Sequence, residues 1–329
     1  MTESMKSTSP SDVATLAREA SERIYDIVAR TDLEYSAAFS ELCGTDVYLK
    51  LENRQRTGSF KLRGATNCLL TLDADVAKRG CVVASSGNHG AAVAYAMQKL
   101  GIQGQIFVPE QTSSVKVDAI QRHGGCVEKF GTDGLDTEQH ARAYAETNEM
   151  FYLSPYNDPQ VIAGQGSIGV ELLEQIPDMS TLYIAVGGGG LISGIASVVK
   201  SVRPDIQVIG CQPAASAVMA KSVEAGRLLD IPSDRTLSDG TAGGVEQDAV
   251  TFGLCNDLVD EFVLVSEDEI GEAMREFIDY EHQLIEGAAG VALAAMKKHA
   301  TADCGKVVTV ICGANVSRQT LAAVIGTEP

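Results

Sequence analysis

A chain of 329 residues is too long for one ordinary hydrophobic core and favours two lobes. Its 45% hydrophobic and 21% charged residues are typical of a globular protein rather than a disordered one. Lys and Arg number 26 against 44 Asp and Glu, and the resulting net charge of −18 argues against nucleic-acid or anionic membrane partners. Small anions can still bind, because local amides and helix termini set the potential at a site.

The cysteines and the first residues indicate a cytoplasmic protein. None of the eight cysteines forms a C-x-x-C pair, zinc-site spacing is absent, and we interpret most of them as buried reduced thiols. The N-terminal segment lacks the apolar core of a signal peptide, and no apolar run reaches the roughly 18 residues of a membrane span. We therefore expect a soluble, cytoplasmic protein without a membrane partner.

Short β-rich runs alternate with amphipathic helical patterns along the chain. In chain order the predicted strands are Cys81–Ala84, Gln105–Val108, Val127–Phe130, Phe151–Leu153, Leu182–Val186, Gln207–Cys211, Phe262–Val265 and Val307–Cys312. The predicted helices are His89–Leu100, Ser114–Arg122, Asp136–Thr147, Val161–Gln175, Leu191–Val202, Ile270–His282 and Ala288–His299. This alternation predicts an α/β fold of open, mostly parallel sheets flanked by helices.

The strand positions also suggest how the two lobes divide. The first four predicted strands, from Cys81 to about Leu153, suit one small sheet, and the later strands suit a larger one. A cleft between two such sheets is the usual place for a cofactor. Between the last two predicted strands, Ser266 and Glu269 form a capping-box pattern, so we interpret the acidic run Glu267–Glu269 as a helix N-terminus rather than a metal site.

The segment Thr57–Gly64 contains the first candidate for chemistry, Lys61. A lysine in this polar stretch reads on composition alone as a solvated loop residue. A desolvated lysine, however, has a lowered pKa and forms an imine with a carbonyl cofactor. Phe60 beside it would help to wall such a pocket.

The segment Ser85–Gly90, the serine turn, follows a predicted strand and opens a predicted helix. Gly87 and Gly90 allow a tight turn, and the free amides at a helix start suit a carboxylate. Ser86 and Asn88 add short polar side chains at the same place. The alternative is a plain Gly/Ser turn with Asn88 as the helix cap.

Four consecutive glycines, Gly187–Gly190, form a glycine loop between a predicted strand and a predicted helix. Each costs backbone entropy, and the loop gains amides that can all point at one anion, backed by a helix dipole. We interpret it as a phosphate site rather than a mere turn, although it matches neither the P-loop nor the dinucleotide fingerprint. A last strand-end turn begins at Cys312, which is either a ligand contact at a sheet edge or a buried structural thiol.

Together these segments resemble the fold-type II pyridoxal-phosphate enzymes, closest to the serine/threonine dehydratase and serine racemase branch. The resemblance runs from about Ala20 to Ala323, and the tetraglycine loop favours this branch over cysteine synthases. It implies a large domain of residues 1–66 and 157–329 and a small domain of residues 67–156. The matching motifs are G-S-F-K-x-R-G-A (Gly58–Ala65), S-S-G-N-H-G (Ser85–Gly90), G-Q-G-S (Gly164–Ser167), G-G-G-G-L (Gly187–Leu191), E-x-A-A-G (Glu286–Gly290) and C-G-A-N (Cys312–Asn315).

The resemblance assigns roles toward the cofactor, pyridoxal 5'-phosphate. Lys61 would hold it as a Schiff base and remove the α-proton of the substrate. Phe60 would pack near the ring, Asn88 would hydrogen-bond the ring 3-hydroxyl, and Cys312 would partner the pyridine nitrogen. The phosphate would lie on the glycine loop and the residue after it, which are Gly187, Gly188, Gly189, Gly190 and Leu191.

The resemblance also assigns roles toward the substrate. Ser86 would face the opposite side of the cofactor, where racemases place their second acid–base group. Metal-activated members carry carboxylates where this chain has Gln212 and Ala214–Val218, so no metal is expected. The substrate carboxylate would bind to the backbone amides of Ser85, Ser86, Gly87, Asn88 and His89.

The first interpretation of function is a homodimeric ammonia-lyase that converts a β-hydroxy α-amino acid into a 2-oxo acid and ammonia. The substrate would be serine, threonine, 3-hydroxyaspartate or a relative from hydroxyectoine breakdown, and the arginines near the motif are Arg54, Arg56 and Arg63. One alternative is a racemase that uses Lys61 and Ser86 on opposite faces. Another is a non-catalytic small-molecule binding protein, which would have lost the lysine.

Overall fold

The computed structural model describes residues 8–326, which form two sheets flanked by helices. Residues 1–7 and 327–329 of the predicted large domain lie outside the described residues. The strands are β1 (Leu33–Ser36), β2 (Val47–Lys50), β3 (Cys81–Ala84), β4 (Gly104–Val108), β5 (Cys126–Lys129), β6 (Phe151–Tyr152), β7 (Thr181–Ala185), β8 (Gln207–Pro213), β9 (Glu261–Val265) and β10 (Val307–Val310).

Helices precede and follow most of these strands, as crossover connections between parallel strands require. Within the part of the chain that the structure describes, none is long and apolar enough to cross a bilayer. The helices are α1 (Pro10–Arg23), α2 (Ala37–Cys43), α3 (Lys61–Leu70), α4 (Ala74–Arg79), α5 (Asn88–Leu100), α6 (Ser114–Arg122), α7 (Gly134–Thr147), α8 (Pro159–Gln175), α9 (Gly190–Val202), α10 (Val218–Glu224), α11 (Val250–Leu258), α12 (Glu267–Glu281), α13 (Gly287–His299) and α14 (Arg318–Ile325).

The larger sheet has six strands in the order β1-β2-β10-β7-β8-β9. Only the outer pair β1 and β2 is antiparallel; β10 runs parallel between β2 and β7, with Val307 opposite both Val47 and Thr181. The smaller sheet has four parallel strands in the order β5-β4-β3-β6. The predicted α/β fold with two mostly parallel sheets is therefore confirmed, and the small sheet consists of the first four predicted strands.

Two strands were not predicted, β1 and β2. β1 has four residues, includes the polar Glu34, and runs directly into α2, so it offers no clear alternation. β2 ends in Lys50, a residue that is rare in buried strands. Lys50 is nevertheless fully buried here, because its Nζ lies 2.5 Å from Glu171 Oε2.

The capping-box prediction is confirmed at the start of α12. The amide of Glu269 donates to Ser266 Oγ at 3.2 Å, and the amide of Ser266 donates to Glu269 Oε2 at 2.7 Å. The acidic residues of this first turn face the positive end of the helix, where they stabilise it. The acidic run is thus a helix start.

The glycines of the G-Q-G-S segment allow close packing between helices. A Cβ atom at Gly164 would lie 2.6 Å from the Arg63 carbonyl oxygen, and one at Gly166 would lie 3.0 Å from the Gly194 carbonyl oxygen. A Cβ atom at Gly194 would in turn lie 2.3 Å from the Ile162 carbonyl oxygen. These glycines let α8 approach α3 and α9 closely.

Candidate active site

Lys61 is the first residue of α3 rather than part of a solvated loop. The preceding residues pair with the C-G-A-N turn: the Phe60 amide donates to the Cys312 carbonyl at 3.0 Å, and the Ala314 amide donates to the Gly58 carbonyl at 2.9 Å. The Lys61 ammonium group donates to the Pro155 carbonyl oxygen at 2.8 Å and lies 5.2 Å from the centre of the Phe60 ring. The lysine therefore lies between segments from both sheets.

The surroundings of Lys61 make its amine reactive. Burial lowers its pKa to about 8, against the opposing influence of Cys312 and Glu286. The positive end of α3 acts in the same direction as burial, because Lys61 opens that helix. A substantial fraction of the amine is thus neutral and nucleophilic near physiological pH.

This pKa predicts how attachment of an aldehyde cofactor depends on pH. Only the neutral amine attacks an aldehyde, so the attachment rate should rise about tenfold per pH unit at acidic pH and level off above the Lys61 pKa of about 8. Rapid-mixing absorbance measurements on the cofactor-free enzyme check this expectation. A rate that continues to rise to about pH 10, as for an exposed lysine, would contradict it.

The serine turn lies where β3 ends and α5 begins. A Cβ atom at Gly90 would lie 2.2 Å from the Ser85 carbonyl oxygen, so the turn can close only over a glycine. The Ser85 amide donates to the Phe107 carbonyl at 3.1 Å, and the Gly87 amide donates to Ser85 Oγ at 3.2 Å. Those two amides, which we expected to bind a carboxylate, are engaged inside the protein.

His89 lies in the first turn of α5 as a buried, neutral imidazole. Its Nε2 lies 3.0 Å from the Leu153 carbonyl oxygen, which accepts a hydrogen bond from this nitrogen. Burial, with a further contribution from the charge of Lys61, lowers the pKa of His89 to about 3. The side chain therefore positions the turn against the strand end, and it is not an acid or base near neutral pH.

The glycine loop connects β7 to α9 and presents the start of that helix. Gly189 has φ +85°, the left-handed conformation that favours glycine, and caps α9. The Thr251 hydroxyl donates to the Gly188 carbonyl at 2.6 Å and holds the loop from one side. The amides of Gly190 and Leu191 open the helix, where an anion finds both donors and a favourable dipole.

Tyr156 covers the glycine loop, and sequence analysis did not identify it. A Cβ atom at Gly188 would lie 2.5 Å from the Tyr156 ring, and one at Gly190 would lie 3.0 Å from its Cβ. The Tyr156 hydroxyl accepts from the Glu246 amide at 2.9 Å, which fixes the ring. Since Pro155 accepts from Lys61, this segment connects the lysine to the glycine loop.

Asn88 is the first residue of α5 rather than its cap, which is Gly87. Its Nδ2 donates to the Glu286 carboxylate, at 2.7 Å from Oε1 and 3.0 Å from Oε2. Its Oδ1 accepts from Asn315 Nδ2 at 2.7 Å. Glu286 and Asn315 belong to two of the motifs that carry the family resemblance, but no role was predicted for either side chain.

Cys312 lies just after β10, buried and neutral. Burial, and to a lesser extent the nearby Glu286 carboxylate, raises the pKa of its thiol well above the usual value. A thiol in this state is a weak donor rather than a nucleophile. Cys312 is therefore a buried thiol beside the Lys61 segment, and its contact with a ligand stays a prediction.

The residues around Lys61 fit a polar ligand with an aldehyde and a phosphate. Within residues 8–326, the buried Thr57 Oγ1, Ser59 Oγ and His89 Nδ1 have no hydrogen-bond partner in the protein, and buried polar atoms ordinarily have one. The amine of Lys61 suits an aldehyde, and the glycine loop suits a phosphate. Fold and site together define an enzyme class that carries a phosphorylated aldehyde cofactor on a lysine.

The chain belongs to the family described as pyridoxal-phosphate dependent enzymes, whose model matches residues 24–313. L-threonine ammonia-lyase of Geobacter sulfurreducens is 38% identical over 313 residues, which cover 94% of this chain and 77% of that protein. Threonine deaminase isoform 2 from Solanum lycopersicum, in its processed form, has a similar structure, with a TM-score of 0.91 and 32% identity over 95% of this chain and 86% of that chain. Maize serine racemase has a TM-score of 0.88 and 30% identity over 95% of this chain and 96% of that chain.

The arginines near the lysine do not all face the site. Arg63 is fully buried, with Nε 2.8 Å from Glu52 Oε2 and Nη1 2.6 Å from Glu171 Oε1. Arg54 pairs with Glu34 at the edge of the large sheet, and Arg56 is exposed. The buried cluster anchors α3, and breaking such a pair costs about 3–5 kcal/mol because a charge is left buried.

Proposed function

We propose that the protein is a pyridoxal-phosphate-dependent ammonia-lyase that converts a β-hydroxy α-amino acid into a 2-oxo acid and ammonia. The observation that carries this proposal is Lys61, a lysine of lowered pKa at a helix start, joined through Pro155 and Tyr156 to a glycine loop. The similarity to an L-threonine ammonia-lyase over 94% of the chain supports the reaction type.

Pyridoxal phosphate, when bound, withdraws electrons from the α-carbon of an amino acid and makes its proton acidic. In our proposal Lys61 attaches the cofactor and the glycine loop with Leu191 takes the phosphate. Asn88 donates to the ring hydroxyl, and the neutral thiol of Cys312 meets the ring nitrogen. Phe60 walls the pocket on the side of the lysine.

The chain supplies the groups that hold the substrate and move its proton. The amine of Lys61 accepts the α-proton, since its lowered pKa suits a base near neutral pH. The amides of Ser86, Asn88 and His89 bind the substrate carboxylate, supported by the dipole of α5. Loss of the β-hydroxyl as water and hydrolysis of the product then give the 2-oxo acid and ammonia.

The charge pattern favours a substrate with a neutral side chain. A second carboxylate, as in 3-hydroxyaspartate, requires a free cation in the site; Arg63 and Arg54 are both engaged with carboxylates, and Arg56 is exposed. Serine and threonine require no such cation. We therefore propose threonine or serine as the substrate.

A screen of β-hydroxy amino acids tests the lyase proposal. The purified holoenzyme is incubated with each amino acid while ammonia and 2-oxo acid are followed together with the D-isomer. We expect equal amounts of ammonia and 2-oxo acid from L-threonine or L-serine, at a rate above that of inversion. A D-isomer rate well above the ammonia rate for the best substrate would contradict the lyase proposal.

The racemase is the second candidate, because the maize serine racemase structure is similar over 95% of the chain and Ser86 lies in the serine turn. In that proposal Ser86 returns a proton to the face opposite Lys61. Ser86→Ala would then remove inversion and leave ammonia release largely unchanged. Equal losses of both activities would speak against a separate role for Ser86.

Activity should not depend on a divalent metal ion. Gln212 Nε2 donates to the Val186 carbonyl at 3.0 Å, and its Oε1 accepts from the Ala220 amide at 2.7 Å, so this side chain is committed to the backbone. We expect the holoenzyme to keep its activity after EDTA treatment. A large loss that Mg²⁺ or Ca²⁺ restores would contradict this expectation.

Three further proposals follow from the resemblance. The protein acts in the cytoplasm, as a homodimer, and its domains are residues 1–66 with 157–329 and residues 67–156. Analytical ultracentrifugation of the holoenzyme tests the dimer. Limited proteolysis with mass spectrometry tests the domain boundaries, since linkers between domains are cut first.

A further inference from the structure

The side chain of Asn88 is held at both ends. Its Nδ2 donates to the two oxygens of Glu286, at 2.7 and 3.0 Å, and its Oδ1 accepts from Asn315 Nδ2 at 2.7 Å. Burial raises the pKa of Glu286 to about 7; above that pH its carboxylate only accepts hydrogen bonds, whereas an amide nitrogen only donates them. Asn315 Nδ2 is in turn held by the Thr57 carbonyl oxygen, to which it donates at 2.9 Å, so both neighbours select one of the two orientations of the Asn88 amide.

Glu286 is itself fixed, because the surrounding backbone leaves it little freedom. The Asn315 amide donates to Glu286 Oε2 at 3.0 Å, and the Glu286 amide donates to the Gly313 carbonyl at 3.1 Å. A Cβ atom at Gly313 would lie 2.5 Å from Glu286 Oε1, so only glycine leaves room for the carboxylate. The Glu286 residue is 5% exposed.

We propose that Glu286 is a positioning residue that turns an N–H group of Asn88, rather than its carbonyl, toward the cofactor. One of the two Nδ2 hydrogens satisfies Glu286, and the second is available to an oxygen acceptor. This inference rests on the proposed role of Asn88 and extends it. The contact between Asn88 and the cofactor depends on the carboxylate of Glu286, 198 residues away in the sequence. Asn315 acts from the other end of the same amide.

Glu286 needs no contact with the substrate for this role. Its carboxyl group lies among Asn88, Asn315 and Gly313, and its influence on Lys61 is electrostatic. In Glu286→Gln the new amide presents either an oxygen or a nitrogen to Asn88. The orientation of Asn88 is then no longer selected from that side, although the volume of the side chain is kept.

A double-mutant cycle on cofactor affinity tests the inference. Cofactor-free wild type, Glu286→Gln, Asn88→Ala and the double variant are titrated with pyridoxal 5'-phosphate, and binding is followed by absorbance. Hydrogen bonds to charged groups contribute about 1.5–3 kcal/mol, so each single variant should bind roughly tenfold more weakly or worse. The double variant should bind no more weakly than Asn88→Ala alone, because Glu286 acts through Asn88.

The controls separate the inference from the proposal on which it rests. Glu261→Gln removes an exposed carboxylate at the start of β9 and should leave affinity unchanged. Additive losses in the cycle, or an unchanged affinity of Glu286→Gln, would overturn the positioning role alone. An unchanged affinity of Asn88→Ala would instead overturn the proposed cofactor contact of Asn88.

Asn315→Ser provides a second route if Glu286→Gln does not fold. It removes the donor to Asn88 Oδ1 and keeps the backbone amide that holds Glu286. Because Asn315 Nδ2 also donates to the Thr57 carbonyl oxygen, at 2.9 Å, we expect weaker cofactor binding and, when this change is combined with Asn88→Ala, a loss smaller than the sum of the two single losses. The absorbance maximum of the bound cofactor should shift in the same direction in the Glu286→Gln, Asn315→Ser and Asn88→Ala variants. Opposite shifts would contradict the proposal that Glu286 and Asn315 act through Asn88.

Discussion

Lys61→Ala should abolish both the attachment of pyridoxal phosphate and turnover. The Lys61 amine is the proposed attachment point and the proposed base, and its contact with the Pro155 carbonyl places it inside the site. Removal of a residue with both roles should lower kcat by at least about 10⁴-fold. The measurements are the absorbance of the lysine-bound cofactor, mass spectrometry after borohydride reduction, and release of the 2-oxo acid.

Lys99→Ala is the matched control for this variant. Lys99 is an exposed residue of α5 whose ammonium group lies 5.4 Å from the centre of the Tyr95 ring. The Lys99→Ala variant should keep both the bound cofactor and the activity. Detection of a reduced cofactor adduct on another lysine of the Lys61→Ala variant would show that the assignment is wrong.

Gly188→Ala should strongly weaken cofactor binding. The new Cβ would meet three atoms of the Tyr156 ring at 2.5 to 2.6 Å, and that ring is fixed by the Glu246 amide. Overpacking of this kind costs about 1–3 kcal/mol. Displacement of Tyr156 would also move Pro155, which accepts from Lys61. We expect the dissociation constant of the cofactor to rise by roughly ten- to a hundredfold.

Gly253→Ala makes the same chemical change where there is room for it. Gly253 lies inside α11, and a Cβ there would meet no atom within 4 Å. Alanine is favoured over glycine in a helix by about 1 kcal/mol. The control should therefore be at least as stable as the wild type and bind the cofactor equally well. Equal cofactor losses in both variants would contradict the contact argument.

The sequence was most informative where one segment carries its own signal. The strands before the serine turn and the glycine loop are short apolar runs with a glycine within the next three residues, and β3 was predicted at its observed bounds. The glycine loop could be predicted from its own segment alone. Four glycines between a strand and a helix cost backbone entropy, so their presence indicates a function. The fold class followed from the alternation of such segments.

Features that depend on pairing between distant segments were not predictable. The Ser85 amide was expected to be free, but it completes the pairing of β3 with β4 through the Phe107 carbonyl. Glu286 accepts a hydrogen bond from Asn88, 198 residues away in the sequence, and no periodic pattern predicts that contact. Helix α3 was missed because Gly64 weakens its helical pattern, and this glycine is needed where the helix crosses α8, next to Gln165.

The pairing of the Lys61 segment with the C-G-A-N turn bears on how the protein is made. The Asn315 side chain donates to the Thr57 carbonyl across 258 residues, and β10 lies between β2 and β7 in the large sheet. During synthesis the lysine leaves the ribosome well before β10, the strand that completes its surroundings. Contacts of such long separation form late in folding. Cofactor capture therefore requires a chain that has been made at least as far as the C-G-A-N turn, and a shorter polypeptide exposes its lysine without the rest of the site.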